Sequence, residues 1–330
     1  MPKTTPEHCG LVADIGGTHC RFALAGLDTR AGTIREPQNF AVADYKGVVA
    51  AAKAFLKGEG LKTPPEALVF AVAGPVENGR IHFTNSGWSF SESELRRKLG
   101  VKRARLVNDF EAQARAVAVL DPAALVHIGG PKAFDAKADG AIALVGPGTG
   151  LGVGGLTREG GVSIALVCEG GHASFAPSDK LEIAILELLA RRFGHVSNER
   201  LLSGPGLANL FGAMAKIEGV RRKTPAPEQI TQAALADPKS FEARVFARFC
   251  AILGSVAGDV ALTMGARAGV LIAGGILPSA VEALRGSEFR ARFEAKGRFA
   301  DYLKAISTRL IVEPHVGLVG AATILRDQAA

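Results

Sequence analysis

Asp14 stands at the end of an apolar run near the beginning of the chain, in the stretch LVADIGGTHCRFAL. The apolar residues on both sides of a Gly-Gly-Thr sequence predict two short strands joined by a tight turn, in which the glycines adopt positive φ. A turn accounts for the glycines but not for the aspartate, because an unpaired buried charge is strongly unfavourable. We therefore expect a cation, a metal-bound water or a group of N–H donors beside Asp14.

Two later stretches repeat this glycine-rich pattern. LVGPGTGLGVGGL at residues 144–156 again predicts strand, turn and strand, and GVLIAGGILP at residues 269–278 predicts a strand that ends in a glycine pair. Three glycine-rich strand ends indicate a ligand whose negative charge is met by backbone N–H groups, and phosphate fits that description. For either loop alone, glycines that serve only a hairpin remain the alternative.

Two common nucleotide-binding motifs do not fit these loops. The Walker sequence is absent from the chain. Gly150, Gly152 and Gly155 match G-x-G-x-x-G, but they lie between two predicted strands rather than before a helix. This context argues against the dinucleotide-binding fold and against a nicotinamide oxidoreductase.

Asn108 and Asp109 follow an apolar strand and precede a helical pattern, in the stretch LVNDFEAQA. A carboxylate at a strand end is a candidate general base. Asn and Asp are also favoured helix N-caps, so the residues alone leave both interpretations open. In a second polar stretch, Cys168, Glu169 and His172 are metal-ligand types, but zinc normally needs a further Cys or His pair nearby and the sequence offers none. We therefore expect no structural zinc.

Strands alternate with helices along the chain, which predicts an α/β protein with mostly parallel sheets. Ser91 followed by Glu94 predicts a capped helix start, and residues 121–140 predict a crossover between two domains. The long helical patterns lie at residues 44–57, 180–192, 205–217 and 238–264. A final apolar helix at residues 317–326 is expected to pack onto the first domain.

Composition bounds the class of protein. The chain has 330 residues, 48% hydrophobic and 22% charged, which is typical of a two-domain globular enzyme. The net charge is +7, but the basic residues are mixed with acidic ones at helical spacing, so we expect no nucleic-acid partner. The polar N-terminus predicts no secretory signal, and the longest uncharged stretch, at residues 141–157, is too short and glycine-rich to span a membrane. Four cysteines without paired spacing predict reduced thiols and a cytoplasmic location.

Seven motifs together carry a resemblance to a known family. DIGGT (residues 14–18), GPGTGLG (146–152) and IAGGI (272–276) resemble the two phosphate motifs and the adenosine motif of the superfamily of sugar kinases, actin and chaperone ATPases. The resemblance narrows to bacterial glucokinase of the non-ROK type through TNSGWSFS (84–91), LVNDFEAQA (106–114), CEGGHASFAP (168–177) and ERLLSGPGLANLF (199–211). It implies a two-domain, actin-like ATPase (ribonuclease H-like) fold with an interdomain active-site cleft. The small domain would comprise residues 1–120 completed by a helix at 314–330, and the large domain residues 121–313.

The resemblance also implies an activity and its residues: ATP-dependent phosphorylation of glucose at the 6-hydroxyl, with Mg²⁺, in a homodimer. Asp109 would be the catalytic base. The sugar would be bound by Asn108, Asp109, Glu169, His172 and Glu199. The nucleotide would be bound by Asp14, Gly16, Gly17, Thr18, Thr149, Gly150, Gly274 and Gly275. Asp14 would orient a water on the Mg²⁺ that bridges the phosphates.

Alternatives within and outside this family remain. The family usually has Asn-Ala where this chain has His19 and Cys20, so His19 is left out of the predicted site. Another hexose or amino-sugar kinase would share the scaffold. A non-catalytic sugar-sensing regulator is less favoured, because no helix-turn-helix pattern precedes residue 11 and Asp109 is present.

Overall fold

The computed structural model describes residues 8–27, 30–83 and 87–328, so residues 84–86 of the TNSGWSFS motif lie outside the described part. The chain divides into two units. Unit 1 holds the described residues up to Pro122 and those from Glu313 onward, and unit 2 is Ala123–Val312. Each unit is built around its own β-sheet and hydrophobic core.

Unit 1 begins with an apolar hairpin that supplies the centre of its sheet. Its strands are β1 (Cys9–Ile15), β2 (His19–Gly26), β3 (Arg35–Ala41), β4 (Ala67–Val72), β5 (Arg80–His82), β6 (Ser89–Ser91) and β7 (Arg103–Asn108). Its first helices are α1 (Val48–Gly58), α2 (Glu92–Leu99) and α3 (Asp109–Ala116). In the described part of the sheet the order is β3-β2-β1-β4-β7, and β1, β4 and β7 run parallel. The Ser91 side chain accepts a hydrogen bond from Glu94 N, which confirms the predicted cap of α2.

The register brings three strand ends of unit 1 to one edge of its sheet. Ile15 at the end of β1 pairs with Val72 of β4, and Val72 pairs with Asn108 of β7. The residues at these carboxyl ends therefore share one edge, where open α/β sheets bind their ligands.

Unit 2 contains a second sheet with helices packed against it. Its strands are β8 (Leu125–Gly129), β9 (Gly140–Pro147), β10 (Leu151–Glu159), β11 (Val162–Cys168), β12 (Gly269–Ile272) and β13 (Thr308–Ile311). Its helices are α4 (Lys180–Phe193), α5 (Gly204–Ile217), α6 (Pro227–Ala236), α7 (Phe241–Met264), α8 (Val281–Arg285), α9 (Phe289–Glu294) and α10 (Ala300–Lys304). The strand order is β11-β10-β9-β12-β13-β8, with β9, β12 and β13 parallel.

The segment at residues 121–140 is not only a crossover. It contains β8, which is the outermost strand of the second sheet and pairs antiparallel with β13. Leu125 and Ile128 of this strand are buried. The sequence analysis missed this strand because a five-residue strand has a weak local pattern and its partner lies far along the chain.

Helix α7 is long and apolar enough, by length and composition, to cross a membrane. Most of it is buried inside unit 2, where Phe249, Cys250 and Ile252 belong to the hydrophobic core. Its burial in this core accounts for its hydropathy.

The last helix, α11 (Val316–Asp327), belongs to unit 1. Its apolar side, including Leu318 and Leu325, packs in one cluster with Val12 and Val69 from the sheet and Ala112 from α3. A Cβ atom at Gly320 would lie 1.7 Å from the Ala112 carbonyl oxygen, so the contact between the two helices requires glycine there.

Candidate active site

The carboxylate of Asp14 lies opposite a cation. Across the β1–β2 hairpin Asp14 pairs with Arg21, and Arg21 Nη1 lies 3.5 Å from Asp14 Oδ2. This contact confirms the expectation that Asp14 needs a charged or polar neighbour. Burial raises the pKa of the Asp14 carboxyl, and Arg21 and His315 offset only part of that increase.

The beginning of α11 also lies against Asp14. A Cβ atom at Gly317 would come within 3.0 Å of Asp14 Cγ, so only glycine lets the helix approach this closely. The positive end of a helix dipole favours an anion nearby. Directly before the helix, the Nδ1 atom of His315 is buried and has no hydrogen-bond partner within the described residues.

The glycines of the first turn do not have the predicted conformation. Neither Gly16 nor Gly17 has left-handed φ, and Gly16 N donates a hydrogen bond of 2.9 Å to His19 O across the turn. A Cβ atom at Gly16 would meet only His19 O, at 3.6 Å. The turn itself thus leaves room for a side chain at Gly16. Thr18 and His19 at the tip are exposed.

At the end of β7 the side chains of Asn108 and Asp109 both accept a hydrogen bond from the start of α3, and Asp109 Oδ1 accepts one from Phe110 N at 3.0 Å. Asn108 Oδ1 accepts hydrogen bonds from Phe110 N (2.8 Å) and Glu111 N (3.3 Å), so Asn108 is the N-cap of α3. Its Nδ2 donates to Gly74 O at 3.3 Å and keeps one N–H for a ligand. Asp109 is the first helical residue and is partly exposed at the same sheet edge as Asp14, two strand spacings (about 10 Å) away.

In unit 2 the predicted phosphate and adenosine loops touch each other. Val145 of β9 pairs with Ile272 of β12, so both loops leave the same edge of the sheet. Gly274 has φ +86°, and a Cβ atom there would lie 2.2 Å from the Pro147 carbonyl oxygen. Gly274 is therefore required by the fold itself. Gly275 has open space around its Cα, as a ligand-facing position would require.

The predicted sugar residues of unit 2 surround the phosphate loop, which we define as residues 146–152. Glu169 and His172 flank a short 3-10 turn and are exposed. Inside that turn, a Cβ atom at Gly171 would lie 2.0 Å from Leu151 O, so the turn rests directly on the loop. Glu199 accepts a hydrogen bond from Leu151 N on its Oε2 atom, at 2.9 Å.

The loop positions predicted to face phosphate lie beside this carboxylate. Thr149 is exposed, and a Cβ atom at Gly150 would lie 2.5 Å from Glu199 Oε2. The structure thus brings Thr149, Gly150 and Glu199 together, whereas Asp14, Asn108 and Asp109 form a separate group in unit 1.

Sequence reasoning left Arg21, His315 and Gly317 out of the site. Arg21 had a usable signal, because Asp14 and Arg21 are equally far from the centre of the predicted turn and must pair in a regular hairpin. For His315 and Gly317 no local pattern indicates that the last helix begins at Asp14.

The donor set near Asp14 suits a magnesium ion better than zinc. In the described ranges no group of three or more His, Cys, Asp or Glu side chains is arranged to hold a metal ion. Magnesium usually keeps several waters and binds through one or two carboxylates together with phosphate oxygens. Asp14 supplies a single carboxylate, as that kind of site requires.

Comparisons with known proteins agree with the predicted resemblance. Residues 11–328 match the family model described as Glucokinase. The chain is 49% identical to a glucokinase of Caulobacter sp. (strain K31), with 96% of this chain and 94% of the relative covered. It is 43% identical to a glucokinase of Xanthomonas euvesicatoria pv. vesicatoria (strain 85-10), with 98% and 97% covered. Among solved structures, it is similar to a glucokinase from an Antarctic psychrotroph, with a TM-score of 0.84, 37% identity and coverage of 97% and 99%. The predicted α/β fold of the actin-like ATPase type is confirmed.

Proposed function

Because the chain belongs to the glucokinase family, we propose that it transfers the γ-phosphoryl group of ATP to the 6-hydroxyl of glucose, in the cytoplasm and with Mg²⁺. The observation that carries the proposal is the position of Asp109 at the end of β7. Asn108 is the N-cap of α3, and Asp109, whose Oδ1 accepts a hydrogen bond of 3.0 Å from Phe110 N, is the first residue of the helix. Asp109 stands at the carboxyl edge of a parallel sheet, where a substrate hydroxyl would reach it.

In this reaction Asp109 accepts the proton of the sugar 6-hydroxyl. The hydroxyl oxygen forms a bond to the γ-phosphorus, and the bond from that phosphorus to the bridging oxygen of ADP breaks. The proton passes from Asp109 to solvent after the transfer. The protein otherwise positions the reactants and stabilises charge, as phosphoryl transfer requires.

Asp14 would hold the magnesium ion through a water molecule. When bound, Mg²⁺ neutralises the charge on the phosphates. Gly16, Gly17 and Thr18 in unit 1, and Thr149 and Gly150 in unit 2, would donate hydrogen bonds to phosphate oxygens. Gly274 and Gly275 would lie along the adenosine.

The sugar would be held by donors and acceptors of matching chemistry. Glu169 and Glu199 offer carboxylate oxygens that accept hydrogen bonds from neighbouring hydroxyls, and His172 adds a ring nitrogen. Asn108 offers its remaining N–H.

A coupled assay of ATP-dependent glucose phosphorylation tests the proposal. We expect turnover with glucose and MgATP, and a kcat/KM for fructose or N-acetylglucosamine that is lower by at least about ten-fold, the effect of losing one good polar contact. Comparable kcat/KM for fructose would contradict the assignment of glucose while leaving a sugar kinase. Elemental analysis is expected to find no stoichiometric zinc.

The proposal also includes a redox environment and an oligomeric state for the protein. The described cysteines are free thiols, as a reducing cytoplasm would keep them, and burial raises the pKa of Cys250 to about 12, so this thiol is unreactive at neutral pH. A homodimer would cover exposed apolar side chains, and Val162 and Ile164 on the edge strand β11 are 64% and 58% exposed. Sedimentation equilibrium of the wild type and of Ile164→Lys tests this, with a shift toward monomer expected for the variant.

A further inference from the structure

We propose that Glu199 couples the two substrates: it ties the bound sugar to the phosphate loop, so that each substrate raises the affinity for the other. This inference rests on the proposed function. It assigns Glu199 a role beyond gripping a hydroxyl, as a positioning residue for the loop that receives the nucleotide.

The first observation is the contact itself. Leu151 N donates to Glu199 Oε2 at 2.9 Å, and a Cβ atom at Gly150 would lie 2.5 Å from the same oxygen. No hydrogen bond to Oε1 is found among the residues that the structure describes. A carboxylate accepts hydrogen bonds on both oxygens, so one oxygen serves the loop while the other serves a sugar hydroxyl.

The second observation is that the backbone around Glu199 is fastened to the same loop. Ser203 Oγ donates to Glu199 O at 2.8 Å, and Gly204 N donates to Gly148 O at 2.8 Å. Gly148 N in turn donates to Gly150 O at 2.8 Å. A displacement of the phosphate loop therefore also moves Glu199, and a displacement of Glu199 moves the loop.

The third observation is that the other sugar-binding turn rests on the same residue. Gly171 approaches Leu151 O so closely that a Cβ atom would lie 2.0 Å from it, and Asn198 N donates to Ala173 O at 2.9 Å. Leu151 thus meets the Glu199 carboxylate through its N–H and the turn of His172 through its C=O. Ordering this turn and Glu199 by a sugar also orders the loop.

Coupling of this kind is reciprocal and measurable. If bound sugar raises the affinity for nucleotide by some factor, bound nucleotide raises the affinity for sugar by the same factor. Typical couplings between sites lie between about 5-fold and 150-fold. We define the coupling factor as the Kd for glucose alone divided by the Kd for glucose with saturating Mg²⁺ and AMPPNP.

Titration calorimetry with glucose and AMPPNP measures this factor on the intact protein without turnover. The wild type is expected to give a factor of about 5 or more, in either order of addition. Glu199→Asp keeps the charge but shortens the side chain by one methylene, so it cannot reach loop and sugar together, and its factor is expected to fall towards 1. Glu169→Asp is the matched control: it shortens the other proposed sugar carboxylate, which acts on the loop only through its turn, and is expected to weaken glucose binding with a smaller loss of the factor than Glu199→Asp.

A second variant acts from the loop side. Gly150→Ala places a methyl group against Glu199 Oε2 and is expected to lower the factor as well, with a melting temperature close to that of the wild type. Its result decides the question if Glu199→Asp does not fold or binds glucose too weakly to measure.

The outcomes separate this inference from the proposed function. A wild-type factor of 1 in a protein that phosphorylates glucose overturns the coupling and leaves the function intact. Equal losses in Glu199→Asp and Glu169→Asp, or an unchanged factor in Gly150→Ala when it is the deciding variant, also overturn it. Absence of both glucose binding and phosphorylation contradicts the proposed function itself.

Discussion

The two glycine-rich hairpins of this protein place a carboxylate beside a turn in two different ways. At the β1–β2 turn the carboxylate of Asp14 comes from the hairpin itself and faces Arg21 on the adjoining strand. At the β9–β10 turn the carboxylate of Glu199 comes from a segment 48 residues beyond Leu151 and accepts a backbone N–H. The ion pair at the first turn is local, although α11 also packs against Asp14, whereas the contact at the second turn is made by a distant segment.

We propose that the carboxylates at the two sheet edges also differ in function. The edge of the first sheet carries Asp14 and Asp109, which we assign to the metal and to the proton transfer. The edge of the second sheet carries loops joined to Glu199 and to the turn of His172, which we assign to holding the substrates. Substitutions at the first edge should therefore lower kcat, and substitutions at the second should mainly weaken binding.

The largest effect is expected at the first edge, for Asp109→Asn. The amide keeps the size but cannot accept the proton, so kcat should fall by about 10²-fold or more while the Kd for glucose changes little. The melting temperature should stay near that of the wild type, because Asn108 caps α3. Near-normal turnover of this variant would show that Asp109 is not the catalytic base. It would also contradict the proposed difference in function between the two sheet edges.

The same contrast explains which parts of this site can be predicted from the sequence and which cannot. The hairpin of Asp14 could be predicted together with its partner Arg21, because register follows from counting outward from a turn. The contact of Glu199 with Leu151 could not, since it is made by tertiary packing and no local pattern encodes it. Likewise the helix pattern of α11 was predictable, but its N-terminus beside Asp14 was not. Local periodicity in the sequence predicts helices and strands. The contacts between residues far apart in the sequence, which assemble the site, can be identified only in the structure.

The next largest effect is expected on the free energy of unfolding. It concerns Glu182, a carboxylate of unit 2 that lies at neither sheet edge. Glu182 is fully buried and accepts hydrogen bonds from Arg248 (2.8 Å) and Arg292 (2.8 and 2.9 Å). Glu182→Ala leaves both guanidinium groups without this partner and should lower the free energy of unfolding by about 3–5 kcal/mol. Denaturant unfolding measures it, with Glu187→Ala on the exposed face of α4 as the control, expected within about 0.5 kcal/mol of the wild type. Equal stabilities of the two variants would contradict a structural role for this cluster.

A smaller effect is expected at the second edge, for Glu169→Gln. Replacing a charged acceptor of sugar hydroxyls should weaken glucose binding by about 10-fold, since a hydrogen bond to a charged group contributes about 1.5 kcal/mol or more. The kcat should change less than the Kd, in contrast to Asp109→Asn. Calorimetric Kd values beside kcat for both variants provide the test. A change in kcat that exceeds the change in Kd would erase the proposed difference between the two edges.

The helix cap at the first edge should contribute about 1 kcal/mol. Asn108→Ala removes the acceptor of two backbone N–H groups, from Phe110 and Glu111, and should destabilise the protein by about that amount. Asn108→Ser keeps a capping oxygen and should lose less. Chemical denaturation of both variants checks the order. If alanine and serine are equivalent here, the capping role of Asn108 is not supported.

The smallest effect concerns the pH dependence of unfolding in unit 2. Burial acts to raise the pKa of Asp179, but the hydrogen bond from Glu182 N and the ion pair with Arg248 outweigh it and hold the pKa below its usual range. A folded-state pKa below that of the unfolded chain stabilises the protein above about pH 4, and this stabilisation is lost as the pH falls through the folded value.

Asp179→Asn keeps the N-cap of α4 but not the charge. The melting temperature of the wild type should exceed that of the variant at pH 7, and the gap should narrow below about pH 4. The gap should remain modest because the Asp179 side chain is 37% exposed and the ion pair is screened by solvent. A gap that stays constant from pH 7 to pH 3 would show that the charge of Asp179 does not contribute to stability. The buried Glu182 would then be the only carboxylate of this pair that stabilises the fold.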